Sequence, residues 1–420
     1  MSRRLFLSIL GTGRYMPCRY GKDGMVMEET VFIQKALVEY LQKNCGWNDK
    51  DKVVIFLTEK ARKIHWTPDV PEKGLESDLK KMGISYEGVD IKDGISTEQM
   101  WSIFETIYSQ FEDGDELYID ITHSFRYLPM LLIVLVNYAK LLKNVSVGGI
   151  FYGNWEAKDE QNIAPIMDLL PLSLLQDWTI AASDFLQYGQ IKKLCQISNA
   201  SLSGILKDPE TRTADNQTLK KFLKTLQVIV NDRLTCRGKD IIDGSDVENL
   251  RRYADNIETV AISQLKPVFE KIKDSLSKYG TVNEAVNCIK AARWCLDNCL
   301  YQQCITLLDE GVITVLCEAC GLDYRSKEDR NIVSKCIKIT NNELPEDVWL
   351  VDTEEERLKI RTVLEKNQEL WSTNGLVREM VNLMELRNDY NHAGFKDNPC
   401  QAIRMINRIE DFLKKAEEVL

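Results

Sequence analysis

The pattern of the chain changes near residue 172, and this change constrains the fold more than any other feature of the sequence. Before it, short apolar runs such as LFLSIL (Leu5–Leu10) and ELYIDIT (Glu116–Thr122) alternate with segments of helical apolar spacing. Such alternation predicts an α/β domain whose mostly parallel sheet is covered on both faces. After it, apolar residues recur at helical spacing without a convincing strand, which predicts an all-α second half.

The remaining elements follow the same patterns. Further strands are predicted at Val53–Thr58, Ser85–Ile91 and Val145–Gly153, and helices at Glu28–Cys45, Gln99–Phe111 and Phe125–Leu142. Breaks in the helical half are expected at the polar stretch Ser198–Thr218, at Tyr279–Gly280 and at the acidic stretch Asn341–Glu356. We therefore predict an N-terminal domain at residues 1–172, a helical connector at 173–280 and a terminal helical domain at 281–420.

Composition limits the class of protein. Fractions of 44% apolar and 28% charged residues are those of a folded globular chain. The longest apolar run, Leu128–Val136, is too short to span a bilayer, and MSRRLFLSIL leads into GTGRY rather than a cleavage site, so we expect a cytoplasmic protein without a membrane partner. A net charge of −10 argues against a protein that coats nucleic acid, although an enzyme can hold a strand in a small local site.

The cysteines do not predict a metal site. Cys317 and Cys320 form a CxxC pair among twelve cysteines, but no second matched pair or nearby histidine accompanies them. We expect small buried thiols and no metal cofactor.

The strongest chemical motif is RNDYNHAG, in which Arg387 and His392 lie near the predicted C-terminus of an amphipathic helix. A guanidinium binds phosphate through two parallel hydrogen bonds, and an imidazole transfers protons near neutral pH. RNA supplies its own nucleophile, the 2′-hydroxyl, so these groups suffice for cleavage without a metal. A structural alternative stays open, in which Arg387 pairs with a surface carboxylate such as Asp389 and His392 only caps the helix.

A second motif, DITHSFR, lies at the end of a predicted strand and the start of a helix. Its Asp120, Thr122, His123, Ser124 and Arg126 combine hydroxyls and a cation with the free N–H groups of a helix N-terminus. This is the chemistry of a phosphate or ribose site. A partly buried, structurally satisfied histidine is an equal alternative for His123.

A third group of polar residues also follows predicted strands. Its members are Gly11, Thr12, Gly13, Arg14, Thr58, Tyr152 and Asn154. Glycines allow the backbone to approach a ligand closely, although GTG alone is usually a turn. Because ligands bind beyond the carboxyl ends of parallel strands, we expect these residues at one rim of the sheet. His65, in ARKIHWTPD, matches no motif, and we expect it in a surface loop or partner contact.

Together, and in this order, the motifs resemble the CARF–HEPN proteins of type III CRISPR systems. RNDYNHAG matches the Rx4-6H signature of HEPN ribonucleases, with Asn388 as the polar residue after the arginine. DITHS is similar to the DxTHG motif of the CARF domain, with Ser124 where glycine is common. The resemblance implies a Rossmann-like CARF domain followed by a helical HEPN domain.

The resemblance also implies a function. A CARF dimer would bind cyclic oligoadenylate, with the tetra-adenylate favoured over the hexa-adenylate, at the polar strand ends named above. A HEPN dimer would cut single-stranded RNA without a metal, with Arg387 stabilising the phosphorane, His392 assisting proton transfer and Asn388 orienting either group. No DNA partner is expected. The alternatives are a CARF sensor or transcription regulator without catalysis, a non-enzymatic HEPN interaction module, and a ring nuclease that degrades cyclic oligoadenylate in the CARF pocket.

Overall fold

The chain forms two compact units, Met1–Leu174 and Leu175–Leu420, and the division falls within one helix. The structure, a computed structural model, describes residues 2–123, 127–205, 214–256, 263–277, 280, 282–368, 371 and 375–419. The first, the α/β unit, contains a mostly parallel sheet, and the described part of the second, the helical unit, is helical. The predicted fold class is confirmed.

The α/β unit is built on one sheet. Its strands are β1 (Arg4–Leu10), β2 (Arg19–Lys22), β3 (Met25–Val26), β4 (Lys52–Leu57), β5 (Tyr86–Asp90), β6 (Glu116–Asp120), β7 (Ser146–Gly153) and β8 (Ile163–Asp168). Their order across the sheet is β3-β2-β8-β7-β6-β1-β4-β5. The stretch from β7 to β5 is parallel throughout, whereas β8 is antiparallel to β7. The carboxyl ends of β1, β6 and β7 therefore meet at one edge.

Helices cover both faces of this sheet. They are α1 (Ile33–Asn44), α2 (Glu59–Ala61), α3 (Leu75–Lys81), α4 (Thr97–Tyr108) and α5 (Leu128–Leu142), with a π-helical turn at Arg62–Trp66 and 3-10 turns at Pro71–Lys73 and Trp155–Ala157. Successive side chains of a strand point to opposite faces. Phe6 and Leu10 of β1 accordingly pack with α1 and α3, while Leu5 and Leu7 pack with α4 and α5. This two-sided burial explains the nearly continuous apolar runs of the central strands.

The helical unit has one apolar core. Its helices are α6 (Leu170–Tyr188, which begins in the α/β unit), α7 (Lys192–Ile205), α8 (Ala214–Leu234), α9 (Gly238–Asp243), α10 (Ser245–Asp255), α11 (Lys266–Ser277), α12 (Asn287–Asp297), α13 (Tyr301–Ala319), α14 (Lys327–Asn341), α15 (Glu354–Lys366), α16 (Gly375–Asn391) and α17 (Ala402–Val419), with 3-10 turns at Ser263–Leu265 and Glu346–Val348. The central helix α13 contacts α12, α14, α16 and α17. Along the described part of the chain, no helix combines the length and apolar character that a membrane span requires.

Several boundaries differ from the sequence prediction. The first helix begins at Ile33 rather than Glu28, because Thr30 pairs with Cys18 through two backbone hydrogen bonds of 3.0 Å. The polar stretch Ser198–Thr218 is not one loop: α7 continues to Ile205 and α8 begins at Ala214, while residues 206–213 lie outside the described residues. Those of its polar residues that the structure describes lie within helices whose apolar residues, such as Leu194 and Leu219, pack into the core. The predicted subdivision into residues 173–280 and 281–420 stays a prediction.

Candidate functional site

A cavity of about 310 Å³ lies in the α/β unit beside the turns that follow β1, β6 and β7. Of the residues predicted to bind a ligand, those in its wall are Gly13, Arg14, Thr122, His123 and Tyr152. Tyr15, Tyr20, Trp155 and Glu156 also line it. The polar turns do meet at one rim of the sheet, as parallel strands dictate.

The buried carboxylate of Asp120 holds residues of this rim by hydrogen bonds. The residue is 1% exposed, and its carboxylate accepts hydrogen bonds from Ser8 Oγ (2.7 Å) and from Thr122 Oγ1 (2.6 Å). Thr122 Oγ1 in turn accepts a hydrogen bond from the N–H of Gly153 (2.9 Å), which ties the end of β6 to the end of β7. Asp120 therefore acts as a positioning residue, and Thr122 presents its backbone and methyl group near the cavity.

Three aromatic rings stack beside the cavity. The ring centroid of Tyr15 lies 4.3 Å from that of His65 and 4.2 Å from that of His123, with interplanar angles of 21° and 28°. Two rings at such distances must occupy opposite faces of the phenol. His65 Nε2 lies 2.7 Å from the carbonyl oxygen of Gly13, and since a carbonyl only accepts, this nitrogen carries the proton.

The stack brings His65 and His123 into contacts with Tyr15 that the sequence did not predict. His65 is not a plain surface-loop residue, because the π-helical turn at Arg62–Trp66 brings it to the turn after β1. Burial lowers the pKa of His123, and the neighbouring His65 lowers it further, while Asp120 opposes the shift. Nε2 of His123 is buried and has no hydrogen-bond partner among the described residues. A neutral imidazole with an unused ring nitrogen is suited to pair with a ligand.

The other predicted ligand residues have different places. Thr58 is 2% exposed, and its hydroxyl caps α2 by accepting from the N–H of Ala61 (3.2 Å), so it does not reach the cavity. Thr12 is exposed and Asn154 is partly buried, and neither lines the wall. At Gly11, a Cβ would lie 3.0 Å from the backbone oxygen of His123, so glycine permits the close approach of two turns. Ser124 and Arg126 lie outside the described residues.

A network of charged side chains surrounds Arg387 in the helical unit. Its Nη1 contacts the carboxylate of Asp309 on α13 and lies 3.5 Å from Glu310 Oε1. Asp309 is 1% exposed, and burial raises its pKa to about 6, against the opposing effect of Arg387. Arg330 on α14 holds the other oxygen of Glu310 (2.6 Å). The network therefore holds the guanidinium through one nitrogen, Nη1, which contacts both carboxylates.

Sequence reasoning did not find these carboxylates, although a signal was present. Asp309 and Glu310 interrupt the apolar run of α13, where an acidic residue on the buried face requires a partner. Arg387 does pair with carboxylates, as the structural alternative has it, but they are Asp309 and Glu310 rather than Asp389, which accepts from the backbone N–H of Cys400 (2.7 Å).

His392 lies where α16 ends, as predicted. Its backbone N–H still donates to the carbonyl oxygen of Asn388 (2.9 Å), and the chain then leaves the helix through left-handed backbone at Ala393 and Gly394. The side chains of His392 and Asn388 are exposed to solvent, whereas that of Arg387 is 30% exposed. A fixed cation and a free imidazole thus stand near the same helix end, five positions apart.

No grouping of three or more His, Cys, Asp or Glu side chains suited to a metal occurs among the described residues. Burial raises the pKa of Cys317 to about 12 and that of Cys320 to about 11. Both are free thiols.

The α/β unit is similar in sequence to a known domain family. Residues 5–156 match the family model described as CRISPR system endoribonuclease Csx1, CARF domain. Residues 5–156 are thus similar in sequence to a CARF domain, and they form most of the α/β unit.

Two individual proteins are similar to the chain. The CRISPR-associated protein MJ1674 of Methanocaldococcus jannaschii is 28% identical over 272 residues, which are 61% of this chain and 39% of that protein. The chain thus spans 39% of the length of the curated relative it matches. The solved structure of Enterococcus italicus Csm6 bound to cyclic hexa-2′-fluoro-hexa-dAMP aligns with a TM-score of 0.34 and 12% identity, over 99% of this chain and 93% of that one.

Proposed function

We propose that this protein is a metal-independent endoribonuclease that cyclic oligoadenylate activates. The observation that carries the proposal is the combination, on one helix end, of a guanidinium anchored by Asp309 and an exposed imidazole at His392. The CARF domain supplies the sensor, since its cavity combines Arg14, exposed and suited to phosphate, with aromatic rings suited to adenine.

The chemistry needs only groups of the RNA and of this chain. The 2′-oxygen attacks the adjacent phosphorus and loses its proton, and the 5′-oxygen leaves and gains one. The products are a 2′,3′-cyclic phosphate and a 5′-hydroxyl. Arg387 stabilises the charge on the phosphorane, His392 transfers a proton, and Asn388 orients the phosphate.

Dimerisation belongs to the proposal because the motif supplies one histidine, while the reaction uses an acid and a base. Two-fold symmetry places two copies of His392 around one phosphate. A feature of α5 supports a dimer: Met130, Val134, Tyr138 and Leu141 form an apolar stripe that is 45–80% exposed. An exposed apolar stripe of this kind usually marks an interface.

The test is cleavage of a fluorescent single-stranded RNA in EDTA, with and without cyclic tetra- or hexa-adenylate. We expect cleavage with one ring size, with the tetra-adenylate favoured, and its loss in His392→Ala. A matched histidine variant, His65→Ala, should require more activator but reach the same maximal rate.

Each rival predicts another result. Cleavage without any activator contradicts the sensor. A wild-type chain that degrades the cyclic oligoadenylate but cleaves no RNA, with His392→Ala leaving that degradation unchanged, indicates a ring nuclease. RNA cleavage that His392→Ala leaves unchanged contradicts the assigned site, and no cleavage with any ring favours a regulator without catalysis.

A further inference from the structure

A second cavity, of about 670 Å³, lies in the helical unit against the helix that carries the Arg387–His392 motif. One wall is α16, with Glu385 and Asp389. The loop that follows His392 forms another, with Lys396 and Cys400. The start of α17 completes it with Arg404 and Arg408. Asp389 and Lys396 flank His392 in the chain, whereas Arg387 and His392 do not themselves line the cavity.

The two arginines of this cavity are unusual in an acidic chain. Arg404 and Arg408 are one helical turn apart and exposed, and neither makes an ion pair or side-chain hydrogen bond within the part of the chain that the structure describes. Other arginines of the helical unit do pair, such as Arg293 with Glu417 and Arg330 with Glu310. With a net charge of −10, carboxylates are abundant, so two unpaired guanidinium groups on one cavity wall point to an external anion.

The loop of the cavity is held in place. Asp389 is 2% exposed, and its Oδ2 accepts the N–H of Cys400 (2.7 Å) and lies 4.0 Å from Lys396 Nζ. Its Oδ1 is buried without a hydrogen-bond partner among the described residues. The carboxylate of Asp389 thus holds the loop through the N–H of Cys400, and Lys396 partly balances its charge. The cavity wall is a built feature beside the helix end.

An exposed aromatic residue precedes Lys396 of this wall in the chain. Phe395 is 91% exposed and lies in the chain between His392 and Lys396. A fully exposed phenylalanine gains nothing from burial, but bases of a single strand stack on such rings. Cations that contact phosphates, together with an aromatic ring for bases, are the combination that single-stranded nucleic acid requires.

We infer that this cavity binds the RNA substrate on one side of the cleaved bond, with Arg404 and Arg408 contacting backbone phosphates and Phe395 stacking a base. The inference rests on the proposed function and adds the path of the substrate to it. The two arginines are about 6 Å apart along α17, so they contact neighbouring phosphates of one strand. An acidic peptide is the poorer fit because it has no use for the ring of Phe395.

The test measures binding of an uncleavable RNA, with 2′-deoxyribose at every position of attack, to the full chain with its activator. The variants are Arg404→Gln, Arg408→Gln and both together. Lys414→Gln is the matched control, since Lys414 is an exposed cation on the same helix and lies outside the cavity. For a single strand, each lost phosphate contact lowers the slope of log K against log salt by about 0.7, or about five-fold in affinity at 0.1 M salt.

We expect each single arginine variant to have a smaller slope than the wild type, and the double variant to show the sum of the two decreases. In cleavage assays, KM should rise and kcat should stay unchanged. Phe395→Ala should weaken binding without changing the slope. If the arginine variants keep the slope of the wild type, the inference is wrong. A chain that binds RNA with these slopes but never cleaves it contradicts the nuclease and leaves the binding site standing. If the wild type cleaves RNA but the arginine variants keep its salt dependence of binding, only the proposed RNA-binding site is wrong.

Discussion

Asp309 shows how a single buried carboxylate depends on one neighbour. Its side chain is 1% exposed, so desolvation favours the neutral form and raises the pKa to about 6, while the Arg387 guanidinium opposes that shift. The pair is therefore ionised at neutral pH at a cost in stability. In return, the guanidinium of Arg387 has one defined position.

This arrangement predicts a pH dependence of stability. Because the folded pKa of Asp309, about 6, lies above its ordinary value of 3.8, the folded state binds the proton more tightly. The contribution of this group to the free energy of unfolding is therefore greatest below pH 4 and is lost as pH rises through 6, by about 3 kcal/mol in total. Asp309→Asn should remove that component.

The measurement is urea unfolding of wild type and variant between pH 4 and pH 7. The difference between the two free energies should change with pH, and Glu318→Gln, at an exposed position of the same helix, should show no such change. A constant difference for Asp309→Asn would mean that Asp309 titrates as an ordinary carboxyl.

Tyr15 predicts a second effect at the scale of a residue. Both faces of its ring are occupied by imidazoles, so it separates and orients them instead of stacking on a ligand. Each aromatic pair contributes about 0.5–1.5 kcal/mol, so Tyr15→Leu should weaken binding of cyclic tetra-adenylate by about tenfold. Tyr15→Phe keeps both stacks and should bind nearly as well as wild type.

Calorimetric titration of the His392→Ala chain with and without each Tyr15 change separates binding from turnover. Equal losses for leucine and phenylalanine would indicate that the hydroxyl, rather than the ring, matters. An unchanged affinity of the leucine variant would remove the stack from the site.

Among the elements, the strands of the parallel stretch from β7 to β5 were predicted, and β2, β3 and β8 were not. β1 and β4 are buried on both faces, which makes them apolar runs that composition alone reveals. β2 is RYGK, β3 has two residues and β8 contains Pro165, so none carries a period-two apolar pattern. These strands form because neighbouring strands pair with them.

The features of the two candidate sites also differ in whether the sequence predicts them. The end of α16 at His392 follows from local features, an amphipathic stripe and a terminal glycine, and it was predicted. The contacts of Arg387 with Asp309, and of His65 with Tyr15, join segments far apart in the chain. Without an alignment, one sequence gives no information on which distant side chains meet.

The exposed apolar stripe of helix α5 leads to a prediction about dimerisation. Met130 is 71% and Leu141 80% exposed on one stripe, while its opposite face is buried against the sheet. Changing both residues to lysine should convert the proposed dimer into a monomer and abolish activated cleavage, because a charge in an apolar interface lacks a partner. Light scattering with size exclusion measures the mass.

The control is Leu350→Lys, at an 88% exposed position in the helical unit, which should keep the mass of wild type. A wild-type chain that is monomeric at micromolar concentration and fully active would contradict the composite site. A dimer that survives both lysines would place the interface elsewhere.

For the whole molecule, the important feature is that each unit has its own core. The two apolar layers of the α/β unit contain no buried residue after Ile166, and the core of the helical unit contains none before Trp178. Units with separate cores can fold separately. A fragment of residues 1–168, which ends with β8, should therefore unfold cooperatively on its own.

That fragment should bind cyclic tetra-adenylate within about threefold of the full chain, because the whole cavity lies within it. Thermal unfolding by circular dichroism and calorimetric titration measure the two properties, and the Tyr15→Leu fragment is the binding control. A fragment that folds but does not bind would show that the helical unit completes the sensor.

The π-helical turn at Arg62–Trp66 makes the position of His65 sensitive to the length of this segment. The N–H of Thr67 bonds to the carbonyl oxygen of Arg62, so this turn holds one residue more than an α-helical turn. Deleting one residue would turn the following side chains by about 100° and carry the imidazole away from Gly13. A chain shortened by one residue here should therefore lose the stacking of His65 on Tyr15.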